Sequence, residues 1–312
     1  TMSINGALKE LANEFSEKQK TMIDTLTEDA PILAEIPFEE ASHGMWNVAE
    51  QVASIAGPAF VKLNAPLPQV GITTDLIKVD LDVMGGEIEV PEDQALMFGG
   101  PREYFAKNTP VILRDAGMSA EKRILYDNFI RYAVQHGTAV NAGGSGNKTA
   151  SIIAVRFERG ITTGLYSPKG LKSNATLDVT PINNGQLYKI ASGKFAGVLG
   201  YGMRLKGYFG MQITSPKTVG AILNITEDNV PTARMIDNLL SDIRATPART
   251  LLFMHMHTKN LLHRYKQDSL QMAADSKNYQ TAVMEWNGLP IHTSYNFLGF
   301  GEPAPALSGD PH

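Results

Sequence analysis

Residues 231–294 of this 312-residue chain read PTARMIDNLLSDIRATPARTLLFMHMHTKNLLHRYKQDSLQMAADSKNYQTAVMEWNGLPIHTS. Met235, Ile236, Leu239, Leu240 and Ile243 fall at i, i+1, i+4, i+5 and i+8, one apolar stripe along a helix. Thr232, just after Pro231, is placed to cap the first turn, and Pro247 cannot continue the last. Leu251, Leu252, Phe253 and Met254 make a short apolar run, the pattern of a buried strand. Thr258 is placed to cap a second amphipathic helix with Leu261, Leu262 and Tyr265 inward. Asn287 and Gly288 then supply the two positive-φ positions of a tight hairpin turn. The order is helix, strand, helix, hairpin, with no catalytic cluster along it.

Upstream the pattern changes to β. Ile77, Val79, Leu81 and Val83 alternate with Lys78, Asp80 and Asp82, a period of two expected to bury one face. Residues 45–52 offer a partner strand. Between them, residues 53–74 contain Ile55, Phe60, Val61, Leu63, Leu67, Val70 and Ile72, and their only charge is Lys62. Gly57, Pro58, Pro66, Pro68 and Gly71 break up this stretch. A long apolar loop is costly to leave in water, so it is expected to lie on another molecule.

The remaining segments frame this ribbon. Ala7, Leu8, Leu11, Ala12 and Phe15 form an N-terminal stripe that must dock on its own domain or on a neighbour. Residues 92–115 carry helical pieces interrupted by Gly99, Gly100, Pro101 and Pro110. Ser119 is placed to cap a helix with Glu121 in its first turn, Leu125, Phe129 and Ala133 on one side, and Gly137 as its stop. Residues 141–147, NAGGSGN, read as a flexible link. From Ser151 to Ile225 the chain is rich in β-branched residues, aromatics and glycine, with several strands expected.

Composition bounds the chemistry. The chain has no cysteine, which excludes disulfides, thiolate metal sites and cysteine nucleophiles. Its 28 Lys and Arg against 32 Asp and Glu give a net charge of -4, which argues against binding that rests on phosphate neutralisation. No run has the length and apolarity of a membrane span, and no signal-peptide pattern opens the sequence, so a cytoplasm-like compartment is expected.

In element order, and in Trp286-Asn287-Gly288-Leu289-Pro290-Ile291, the chain resembles the major capsid proteins of tailed double-stranded DNA phages, the Hong-Kong-97-type family. The usual motif has tryptophan directly before glycine, whereas Asn287 intervenes here. The resemblance implies an α+β fold with an N-terminal arm over residues 1–36 and a β ribbon carrying an extended loop, the E-loop, over 37–90. It places a peripheral domain with a spine helix at 91–140, β-rich strands at 141–225, and the axial domain with the C-terminal tail at 226–312. It implies a non-enzymatic subunit that assembles with itself into hexamers and pentamers of an icosahedral shell. That shell would enclose DNA without sequence-specific binding, in a virion assembled in the host cytoplasm. Scaffolding, portal and decoration proteins are the implied partners, with no cofactor, no metal and no membrane. Ile55, Phe60, Val61, Lys62, Leu63 and Leu67 become the candidate intersubunit contacts, with Phe60, Val61 and Leu63 as anchors. An encapsulin-like compartment, a cargo shell sharing the fold, is one alternative; a metal-dependent enzyme using His255, His257 and His263 and a non-shell phage structural protein are the others.

Other chemistries are weaker. His255, His257 and His263 are the most metal-like group, but a strand end followed by a helix start need not make three rings converge. Residues 143–149, GGSGNKT, miss both glycines of a phosphate-binding loop, because Ala142 and Asn147 stand there. No G-x-S-x-G elbow is present. Some capsid proteins of this fold join an E-loop lysine to a neighbour's asparagine, but Lys62 is read here as a solubilising charge.

Overall fold

The computed structural model describes residues 7–14, 16–63, 66–172, 176–262 and 285–305. Three short helices open it, α1 (Leu8–Leu11), α2 (Glu17–Thr27) and α3 (Pro31–Glu35). Strands β1 (Phe38–Glu40), β2 (Trp46–Ala56), β3 (Gly71–Asp80) and β4 (Asp82–Pro91) follow. Helices α4 (Glu92–Met97), α5 (Pro101–Arg123) and α6 (Arg131–Gln135) come next, the last two joined by a π-helical stretch, Ile124–Ile130. The β-rich part comprises β5 (Ala139–Asn141), β6 (Ala150–Arg156), β7 (Thr162–Tyr166), β8 (Leu177–Pro181), β9 (Tyr188–Lys189), β10 (Leu199–Ile213) and β11 (Val219–Ile225). Then come α7 (Ala233–Asp242), β12 (Thr250–Met254), α8 (Met256–Leu262), β13 (Glu285–Trp286) and β14 (Leu289–Thr293).

The C-terminal stretch folds largely as its residues dictate. Thr232 Oγ1 accepts the Met235 amide and caps α7, whose Met235, Ile236, Leu239 and Leu240 are buried. Asn287 and Gly288 take φ of 50° and 76° in the β13–β14 turn. One detail differs. Helix α8 begins at Met256, so Thr258 lies inside it, buried, and does not cap it. Tyr265 falls outside the described residues.

Two sheets organise the chain. The first runs β1-β7-β10-β4, with β8 and β9 also paired to the fifteen-residue β10. The second runs β13-β14-β12-β6-β11-β5, with α7 packed on it. Residues 141–225 therefore serve both sheets: β6 and β11 belong to the second, β7 to β10 to the first. Residues 142–146 are pinned, because the Ala142 and Gly144 amides donate to Leu223 and Asn224 and the Gly146 carbonyl accepts from Ala304. One core, with Leu8, Ile23, Leu26, Leu125, Phe129, Phe157, Leu205, Met211 and Phe253, touches both sheets. Ala7, Leu8 and Ala12 are buried in their own subunit, so this part of the N-terminal stripe docks at home, while Phe15 falls outside the described residues.

The long helix departs most from expectation. It begins at Pro101, not at Ser119, after Gly99 and Gly100 reverse the chain with φ of 91° and 112°. Pro110 removes one helical hydrogen bond without ending the helix. Tertiary packing compensates. Phe105, Leu113, Gly117, Glu121, Leu125, Phe129 and Ala133 are all buried, at intervals of four or eight. A four-residue repeat outruns the 3.6 of an α-helix and would wind around its surface. The wider turn at Ile124–Ile130 absorbs part of that drift and keeps Phe129 facing Phe157 and Phe253.

Gly117 marks where α2 crosses this helix. A Cβ there would lie 1.8 Å from the Leu26 carbonyl oxygen, a backbone atom that cannot rotate away. Gly117→Ala is expected to force α2 off the helix and cost about 3 kcal/mol, the upper end of overpacking effects. Urea denaturation of the unassembled subunit checks this. A change below about 0.5 kcal/mol would show that the two helices are not held at this crossing.

Candidate functional site

Strands β2 and β3 pair over their length, from Trp46 opposite Asp80 to Ala56 opposite Gly71, with one irregularity near Val52. The ribbon is longer than the alternation implies, and Ser54, Ile55 and Ala56 are paired strand residues. The turn between the strands spans residues 57–70. Pro58, Pro66 and Pro68 offer no amide to a ladder, which ends the pairing at Ala56 and Gly71.

At the base, Asn47 Nδ2 donates to Gln212 Oε1 at 2.6 Å, and the Leu81 backbone amide to the Met45 carbonyl at 2.9 Å. Leu81 is buried with Leu165 and Tyr208. The expected alternation thus buries its face only here. Val83, beyond Leu81, is exposed, as are Ile72 and Leu76 along the ribbon. The chain turns at Leu81, so β3 belongs to the ribbon and β4 to the first sheet.

The tip is bare. Phe60 is 110% exposed, Leu63 94% and Leu67 82%, while Val61 is 41% exposed. Lys62 is exposed, and Ile55 sits opposite Ile72 in the ladder. Apolar side chains concentrated at the end of a projecting hairpin are uncommon on a subunit that works alone.

Two buried carboxyls join the rest of the subunit. Glu121 Oε2 accepts the Ile32 and Leu33 amides at 2.9 and 3.0 Å, at the exposed-dipole end of α3. Its Oε1 accepts from Asn296 Nδ2 at 3.0 Å and from the Ser294 hydroxyl. Burial raises its pKa above the ordinary carboxyl value, against these four donors. In sequence Glu121 read as a first-turn residue of its own helix. It sits mid-helix instead and serves the N-terminus of another.

Glu302 is the second. Its Oε1 accepts from the Tyr126 hydroxyl at 2.6 Å and the Ser151 hydroxyl at 3.1 Å, and its backbone pairs with Thr149. Burial pushes its pKa up from 4.5 to about 7, against both hydroxyls. The neutral form is therefore favoured in the folded chain. The associated stability is complete below the unfolded value near 4.5 and is lost as pH rises through 7. Between pH 5 and 8 the unassembled subunit is expected to lose about 2 kcal/mol more than Glu302→Gln, measured by denaturant midpoints. His255 and His292, both lowered chiefly by burial, shift stability the opposite way but equally in both proteins. Parallel curves for the two would refute this role for Glu302.

The histidine group does not assemble a ligand set. His255 follows β12 and accepts the His257 amide at Nδ1, 3.1 Å away, while His257 lies in α8. His263 lies outside the described residues. Among the described residues no group of His, Asp and Glu has metal-binding geometry, and no helix is long and apolar enough to cross a membrane.

A projecting two-stranded ribbon, a long helix packed across one sheet, and a second sheet carrying α7 define the Hong-Kong-97-type capsid fold, an α+β architecture. The chain belongs to the family described as Major capsid protein GP7, whose profile matches residues 15–298. It is a structural protein of the phage capsid shell. Two solved structures share its fold. A chain of bacteriophage Epsilon15 is 14% identical with a TM-score of 0.55, over 82% of this chain and 84% of that one. The bacteriophage JBD30 capsid is 7% identical with a TM-score of 0.51, over 83% and 88%. The holo-SrpI encapsulin complex from Synechococcus elongatus is less similar, with a TM-score of 0.44 and 10% identity over 62% and 86%. No curated protein sequence matches the chain.

Proposed function

We propose that copies of this chain close into an icosahedral shell of hexamers and pentamers around a double-stranded DNA genome, each laying residues 57–70 on an adjacent copy. The supporting observation is the bare tip: Phe60, Leu63 and Leu67 rest on nothing in their own subunit. Covering on the order of 500 Å² of that surface contributes roughly 12 kcal/mol gross at about 25 cal/mol per Å². Association and ordering remove much of this, leaving single contacts weak enough to correct and a closed shell strong in sum.

The net charge of -4 suits a wall that confines DNA without adhering to it. Scaffolding, portal and decoration proteins are the expected partners, and the host cytoplasm the site of assembly. Electron microscopy of the purified chain tests the reading. Closed shells with five- and six-fold clusters are expected. A subunit that stays monomeric, or forms only open filaments, at every concentration and salt would overturn it.

A further inference from the structure

After β14 the described chain runs back over the body without forming another helix or strand. Phe297 is buried in the core shared by both sheets, and Gly299 lies against the His255 ring. Beyond Gly299, Glu302 is the one buried residue as far as Pro305. An apolar side chain ordinarily fastens a segment of this kind. Here a carboxyl does.

The bonds around it converge. Tyr126 Oη, on the π-helical stretch, accepts the Leu298 amide at 2.8 Å and donates to Glu302 Oε1 at 2.6 Å. The Ser151 hydroxyl of β6 donates to the same oxygen. A single backbone bridge joins Glu302 to Thr149, whose hydroxyl donates to the Glu302 carbonyl at 3.0 Å. Downstream, the Ala304 amide donates to the Gly146 carbonyl, and Asn224 Nδ2 to the Pro305 carbonyl at 3.4 Å. No ladder of strand bonds backs these contacts.

Tyr126 is the titratable group that faces Glu302 from the π-helical stretch, while β6 presents only the Ser151 hydroxyl. No charged side chain contributes to the raised pKa of Glu302. At the head of the segment, His257 of α8 stacks on Phe300, and His255 meets Gly299. Burial lowers the His255 pKa, so its protonation would loosen the segment as pH falls, opposite in sign to Glu302.

We propose that Glu302 is a proton-operated latch on residues 298–305: with its carboxyl neutral the segment lies closed on β6 and the π-helical stretch, and with it ionised the segment comes free while both sheets stay folded. This stands independently of the shell reading. A buried carboxylate with no cation beside it is costly, and opening returns it to water. The closed value is near 7 and the open value near the ordinary 4.5. Opening is therefore rarest below 4.5, grows between 4.5 and 7, and levels off above 7. From pH 5 to 8 the opening constant should rise about 50-fold.

Amide hydrogen exchange of the full unassembled chain tests this, with each rate corrected for base-catalysed intrinsic exchange. Leu298, Glu302 and Ala304 report the segment, and β11 reports the body. The segment should lose its protection by about 50-fold from pH 5 to 8, with a plateau above about pH 7. At pH 8 it should exchange while β11 stays protected, and at a rate that low urea does not change. Glu302→Gln keeps an acceptor for both hydroxyls and should give a flat profile. A flat wild-type profile, or one that Glu302→Gln reproduces, would overturn the latch. So would equal protection and equal urea dependence in segment and β11, because release would then need global unfolding. If Glu302→Gln does not fold, the wild-type profile still decides, since protection that keeps falling above pH 8 belongs to another group.

Discussion

Phe60→Asp combined with Leu63→Asp yields a folded, soluble subunit that forms no closed shells. Neither side chain is shielded by its own subunit, so folding stability should move by no more than about 0.5 kcal/mol. Assembly is different, because in the proposed contact each loop would have to bury two carboxylates in place of two apolar groups. Losing the apolar transfer costs roughly 2 kcal/mol per side chain, and desolvating charge adds to it. The penalty recurs at every subunit, so the loss should be complete, not graded. Val61, at 41% exposure, is the weaker choice for such a test than Leu63. Unfolding curves paired with electron micrographs check the result, and a normal shell yield would remove the loop from the interface.

Glu121→Ala carries the largest expected effect on the subunit itself. It strands four donors, the Ile32 and Leu33 amides, the Ser294 hydroxyl and the Asn296 amide, in a dry interior. Leaving buried polar groups unmatched costs about 1–3 kcal/mol each when water cannot replace the partner. Relaxation will recover part of that, so a loss of about 4 kcal/mol is expected from denaturant midpoints. Glu121→Gln should cost about half as much, because one oxygen can still serve α3 and the Ser294 hydroxyl can turn to accept. A loss below about 1 kcal/mol for the alanine variant would show that the carboxylate does not hold these three segments together.

Features with local causes were legible in the sequence. The Thr232 cap, the α7 stripe and the Asn287-Gly288 turn each depend on residues within a few positions of one another, and all three appear as read. The apolar insertion between two ribbon strands was visible because its composition, not its contacts, marks it. Other features have distant causes. Nothing near Pro110 shows that a helix passes through it, because the compensation comes from α2 and the first sheet. Glu121 has partners 88 to 175 positions away, so its spacing says only that it could face water.

The narrow root of the ribbon has a mechanical consequence. Where β2 and β3 leave Leu81 and the Asn47–Gln212 hydrogen bond, they form a stiff lever on a small fulcrum. Over about 33 Å, a ten-degree swing at that fulcrum moves the far end by roughly 6 Å. In the proposed shell, five-fold and six-fold rings would present their neighbours at different tilts, and a lever of this kind would absorb the difference without repacking the body of the protein.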